Sequence, residues 1–145
     1  MAQNDDAKKQ EEYNNLVSQK NTASNSYQTA LSQKAVLETK ISRLETAKRS
    51  VQNSKEEYGR IKEKDKKDIN QKRKWKGNQY DFFINNSTIL MEKEQNYYKN
   101  IDHILDSINT EISKLENELR NKKTLLNGLL NTINTLATQI ENFFN

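Results

Sequence analysis

No proline and no cysteine occur anywhere in this chain. Average usage would place about seven prolines in a sequence of this length. Proline removes a backbone donor and breaks helix interiors, so its absence leaves every segment free to be helical. The lack of cysteine excludes a disulfide framework and a thiolate metal site. Glycine is scarce at three residues, and tryptophan and histidine occur once each. No run of 18 apolar residues is present, so no membrane span is expected. The first residues, Met1-Ala2-Gln3-Asn4-Asp5-Asp6, lack the basic-then-apolar order of a signal peptide. The protein is expected in the cytoplasm, or leaving it by a route that needs no cleaved leader.

What is present is polar. Hydrophobic residues make up 32% and charged residues 30% of the 145, and the mean hydropathy is −1.11. A disordered chain fits those averages, so periodicity has to decide. Along the first half, Leu16, Ala23, Ala30, Leu37, Leu44, Val51 and Tyr58 recur at seven-residue spacing, with every step apolar or aromatic. The companion lane of Tyr13, Lys20, Tyr27, Lys34, Ile41, Lys48 and Lys55 is mixed. The first half therefore presents one narrow stripe.

The second half is richer. Ile84, Met91, Tyr98, Leu105, Ile112, Leu119, Leu126, Ile133 and Ile140 keep the same spacing without interruption. A second lane runs through Ser87, Glu94, Ile101, Ile108, Leu115, Lys122, Leu129, Leu136 and Phe143, and a third carries Phe83, Leu90, Tyr97, Ile104 and Leu125. A seven-residue repeat held this long predicts coiled-coil packing of α-helices.

Trp75-Lys76-Gly77 falls at the middle of the sequence, between the two periodic halves. Gly77 suits the left-handed conformation that ends a helix, and Asn78 and Asp81 suit the start of the next. The predicted fold is all-α, a long antiparallel helix-turn-helix hairpin. Residues 1–7 are expected as a flexible lead-in, helix 1 over about 8–74, the turn over about 75–79 and helix 2 over about 80–144. Leu16 is then expected near Leu136 and Leu44 near Ile108. Trp75 is expected to pack on Tyr80 or Phe82. Three apolar lanes on helix 2 are more than one narrow stripe can cover. The hairpin is therefore expected to complete its core with another helical chain, either a second copy or a different protein. Ile84, Met91, Leu105, Ile112, Leu119, Leu126, Ile133 and Ile140 form the expected partner-packing face.

Catalytic chemistry finds no foothold. His103 has no second histidine, cysteine or glycine-rich phosphate loop to work with. Asp102 and Asp106 lie one turn apart on a polar helix face, and Glu92 and Glu94 do not face each other. A non-enzyme with no cofactor, no metal and no small-molecule substrate is expected. Net charge is +4, and the excess is local. Residues 60–76 carry +6, against +1 before them and −3 after. The basic tip consists of Arg60, Lys62, Lys64, Lys66, Lys67, Lys72, Arg73, Lys74 and Lys76. Glu63, Asp65 and Asp68 interrupt it, and Trp75 is its only aromatic residue, so no stacking platform for nucleic acid is expected.

Helix, W-x-G turn and helix, with no cysteine and no leader, resemble the WXG-type small proteins of type VII secretion. The abundance of Asn, Lys and Ile suits an AT-rich genome such as that of a low-GC Gram-positive bacterium. Within the WXG group the chain looks most like the YwqH-like proteins. The carrying residues are Trp75 and Gly77, Phe82 or Phe83, and Tyr98-Lys99-Asn100-Ile101-Asp102-His103-Ile104-Leu105-Asp106 leading into Ile108, Ile112 and Leu115. Such proteins are typically encoded beside LXG-type toxins. The resemblance implies a chaperone-like targeting partner for the toxin's helical N-terminal domain, co-secreted with it or left behind in the cytoplasm. Tyr98-x-x-x-Asp102 fits the Y-x-x-x-D/E export pattern of type VII substrates. Two other readings are a WXG-type homodimer exported on its own and a structural coiled coil whose basic tip binds nucleic acid.

Overall fold

The computed structural model describes residues 2–72 and 77–145. Two helices follow one another, α1 (Ala2–Lys72) and α2 (Asn78–Glu141). No strand occurs among the described residues. The protein is an all-α helical hairpin. Its residues gather into two compact units, one of Met1–Ile41 with Lys114–Asn145 and the other of Ser42–Ser113. We call these the open-end unit and the turn-side unit. In each, a stretch of α1 runs antiparallel to a stretch of α2. The ring of Tyr13 meets Phe143, and Gln33 meets Lys122. In the turn-side unit Lys55 meets Asp102, and Tyr58 meets Tyr97.

The seven-residue lanes account for the seams. In the open-end unit Ala23, Ala30, Leu37 and Ile41 are buried on α1, with Leu115, Leu126 and Leu136 on α2. In the turn-side unit Ile69 of α1 and Ile101 and Ile112 of α2 are buried. Burying one large aliphatic side chain stabilises by about 1.5–3 kcal/mol. Two helices enclose only a stripe, and among the described residues no large side chain is fully buried. Lys20, Lys34, Lys48, Lys55 and Lys62 stand half-buried along the mixed lane of α1. Their aliphatic stems can cover the seam while the ammonium groups reach water.

The facing register differs from the expectation by one helical turn. Leu16 opposite Leu136 would set Tyr13 beside Gln139, but the Tyr13 ring lies 5.7 Å from that of Phe143. Gly77 holds φ at 93°, the only positive φ among the described residues. Its carbonyl accepts from the amides of Tyr80 and Asp81, at 3.1 and 3.2 Å. Gly77 thus caps the start of α2, which begins at Asn78 with no intervening residue. At the other end the helix takes in residues 2–7, expected as a lead-in. Trp75 and its packing lie outside the described residues.

The glycines separate by environment. A Cβ added at Gly128 would meet nothing within 4 Å, and its φ is not positive. Gly128→Ala is expected to stabilise the hairpin by up to about 1 kcal/mol, from helix propensity alone. Gly77→Ala is expected to destabilise it by about 1–2 kcal/mol, because an L side chain is strained in the left-handed region. Urea unfolding followed by circular dichroism measures both.

Candidate functional site

The lane expected to receive a partner is largely taken up by the hairpin itself. Ile112 and Leu126 are buried, and Ile84, Leu105, Leu119, Ile133 and Ile140 are half-buried. Only Met91 is exposed, at 41%. This lane and the next, with Ile101, Leu115 and Leu136, form the α2 side of the seam. Two lanes at alternating three- and four-residue spacing are what one facing helix can cover.

After Phe83, which is half-buried, the apolar members of the third lane of α2 are left in solvent. In the turn-side unit Leu90, Tyr97 and Ile104 stand 45%, 47% and 49% exposed at steps of seven. Tyr97 packs on Tyr58 of α1, with ring centroids 4.5 Å apart. Ile61, one turn beyond Tyr58 on α1, is also exposed. Ile89 and Phe82 extend the apolar character around α2. Further along, the same lane turns to Glu111 and Glu118, both exposed. The row of exposed apolar side chains at this spacing is interrupted there and returns once, at Leu125 in the open-end unit. Sequence periodicity revealed this lane but not which of the three α1 would cover.

Tyr98 and Asp102 of the expected export pattern are both engaged within the turn-side unit. The Tyr98 hydroxyl donates to the Lys55 carbonyl at 3.3 Å. Asp102 accepts from the Lys55 ammonium at 2.6 Å, and this ion pair lies at the surface. The interaction with Asp102 raises the Lys55 pKa above its ordinary value, opposed by partial burial. Lys62 lies over the Tyr98 ring at 5.1 Å from its centroid. Gly59 makes room for this arrangement, because a Cβ there would stand 2.7 Å from the Tyr98 hydroxyl. In the sequence Gly59 had no visible reason, since its neighbour lies on the other helix.

The turn-side seam is also interrupted by polar groups. Ser87 and Glu94 occupy positions that continue as Ile101 and Ile108, and both are buried. Ser87 satisfies its hydroxyl on the Phe83 carbonyl at 2.7 Å. Glu94 faces Asp65 of α1. Burial first, then the hydrogen bond to Asp65 and its charge, push the Glu94 carboxyl above the ordinary carboxylate range, while Lys62 and Lys66 pull it down. Burial, then the charges of Glu94 and Asp65, likewise raise the pKa of the Tyr58 phenol. The sequence placed Glu94 on a packing lane but gave no sign that its opposite residue is a second carboxylate.

Of the basic tip, Arg60, Lys64, Lys66 and Lys67 are exposed on α1. Lys72 ends that helix, and Arg73, Lys74 and Lys76 lie outside the described residues. Arg60, Lys64 and Lys67 line an open groove of about 620 Å³ together with Glu56, Glu63, Gly59 and Tyr98. Glu56, Arg60, Glu63 and Lys67 alternate in sign along one helix face, an order that favours pairing within the helix over attraction of a polyanion. His103 is exposed. Among the described residues no group of His, Cys, Asp and Glu is placed to hold a metal ion, and no helix is long and apolar enough to cross a membrane.

Gly59→Ala tests the close approach at Tyr98. On helix propensity alone the change would stabilise by about 1 kcal/mol. Displacement of the Tyr98 ring is expected to cancel that gain. In Tyr98→Phe, which lacks the hydroxyl, the same glycine replacement is expected to recover it, as a double-mutant cycle in urea would read.

The family model described as YwqH-like matches residues 18–138. No curated protein and no solved structure matches the chain.

Proposed function

Since that match spans most of the sequence, the protein belongs to the YwqH-like family, and from this membership we propose that it is a non-enzymatic, chaperone-like targeting partner. It binds the helical N-terminal domain of an LXG-type toxin in the cytoplasm and accompanies it to, or through, a type VII secretion system. The observation that carries the reading is the exposed lane of Leu90, Tyr97 and Ile104. Contiguous apolar surface that a soluble chain leaves in water marks a site of association. Seven-residue spacing selects an α-helix as the occupant, because only a helix presents its own apolar side chains at that interval. The lane flanks the seam and adjoins Tyr58 and Ile61 of α1, so a third helix would extend the packing already present.

The fold also decides which variants test this role. Ile112→Asp would put a charge into the seam and unfold the hairpin rather than probe docking. Leu90→Asp with Ile104→Asp changes two exposed positions and is expected to leave helicity and melting temperature nearly unchanged. Co-purification of the toxin's N-terminal domain is expected to fall below detection with this double variant. Retention at the wild-type level would remove the lane from the interface. Mass measurement of the chain alone and with the toxin domain distinguishes a heteromer from a self-paired dimer exported on its own.

A further inference from the structure

The open-end unit carries a surface that the docking role does not use. Charged residues make up 30% of the chain. Yet α1 from Tyr13 to Gln33 holds only Lys20, and α2 from Thr124 to Ile140 holds none. Helix faces that stay in water are normally rich in charge. Surfaces that are buried against another protein are depleted of it. Along one side of this seam runs an open groove of about 540 Å³ with no charged residue in its walls. Thr22, Ser26, Thr29 and Gln33 of α1 line it with Leu125 and Leu129 of α2.

The α1 lane on that side is Glu12, Gln19, Ser26, Gln33 and Lys40, all exposed and at steps of seven. Ser26 and Gln33 line the uncharged groove, Glu12 and Gln19 a second groove at one end, and Gln33 and Lys40 a third at the other. Turned end for end about Ser26, this lane complements itself. Glu12 then meets Lys40, Gln19 meets Gln33, and Ser26 meets its own copy. Hydroxyl and amide side chains both donate and accept, so like can pair with like. Gln33 already accepts from the Lys122 ammonium at 2.6 Å and keeps its amide hydrogens for a second partner. The α2 wall follows the same two-fold. Its exposed lane of Glu118, Leu125, Thr132 and Gln139 turns about a point beside Gly128, setting Leu125 on Thr132 and Glu118 on Gln139. Ser26 shares its groove with Leu125 and Leu129, so the two centres lie at one level. A Cβ added at Gly128 would meet nothing within 4 Å, which leaves room there for a second backbone. No like charges meet on either lane.

We infer that the open-end unit pairs with a second copy of this chain across this groove, the two copies running antiparallel about a two-fold axis at Ser26. A two-fold interface uses the same patch on both copies, so the Glu12–Lys40 pair occurs twice and the assembly closes as a dimer. From Glu12 to Lys40 the contact runs for about 42 Å at 1.5 Å per residue. It takes no residue of the turn-side unit, and it stands independently of the docking role of Leu90, Tyr97 and Ile104.

Three measurements on the full chain test the pairing. Light scattering over a dilution series is expected to give twice the 17.0 kDa of one chain. Ser26→Glu sets two like charges together at the axis and is expected to return the mass to that of one chain, with helicity by circular dichroism unchanged. Leu90→Asp with Ile104→Asp is expected to leave the dimer intact. A wild type that is monomeric at every concentration, or a dimer broken by the Leu90 and Ile104 changes and not by Ser26→Glu, would overturn the inference. In the second measurement, Glu12→Lys and Lys40→Glu each weaken dimerisation several-fold, and the two together restore it, as complementary charges require. A double variant no better than either single one would remove the antiparallel register. The third uses the absence of native cysteine. Ser26→Cys is expected to give a disulfide-linked dimer on mild oxidation. Gln28→Cys, two residues on and so across the helix, is expected to give none. Equal cross-linking of the two would place the contact on another face.

Discussion

Everything in this hairpin follows from an inequality between its two helices. Helix α1 offers one clean apolar lane and a second lane shared with lysines. Helix α2 offers three apolar lanes over much of its length. Packing one against the other satisfies two lanes of α2 and leaves the third in water. The hydrophobic effect therefore both builds the hairpin and leaves it incomplete. The exposed lane and the thin core are two expressions of one excess.

The turn-side unit spends this surplus differently from the open-end unit. Its seam admits Ser87, Glu94 and Asp65, while the open-end unit buries Leu37, Ile41, Leu115, Leu126 and Leu136. The exposed lane at seven-residue steps also lies on the turn-side unit, with Leu90, Tyr97 and Ile104. Buried polar groups weaken packing but narrow the arrangements a seam can adopt. The Tyr98 hydroxyl, seated where Gly59 lacks a side chain, restricts the same seam sterically. The exposed lane thus lies on the part of the fold whose alignment these polar and steric contacts restrict.

Much of this was legible in the sequence, and the reason lies in the helix itself. Seven-residue spacing is a one-dimensional signal, so the two helices, the glycine at the pivot and the surplus of lanes on α2 could be read along the chain. The facing register could not, because it is set by contacts between the helices and not by the spacing along either one. The same limit hid which lane of α2 would remain exposed, since neighbouring lanes of similar composition are separated only by their angle to the partner. Gly59 with Tyr98 and Asp65 with Glu94 are pairs across the seam, which no reading of one helix can supply.

The order of contacts along the hairpin also bears on how it folds. Tyr98 and Lys55 meet across 43 residues of chain, whereas Lys122 and Gln33 meet across 89. Doubling the length of a closed loop costs about 0.6 kcal/mol in chain entropy. Contacts near Gly77 are thus the least costly to form, but they rest on the polar stretch of the seam. The more apolar contacts lie where the loop to be closed is longest. Entropy and burial therefore pull the folding nucleus in opposite directions. Zippering would start beside the turn and gain its downhill slope only on reaching the aliphatic layers beyond Ile41 and Lys114, a route on which the polar part of the seam forms early and is secured late.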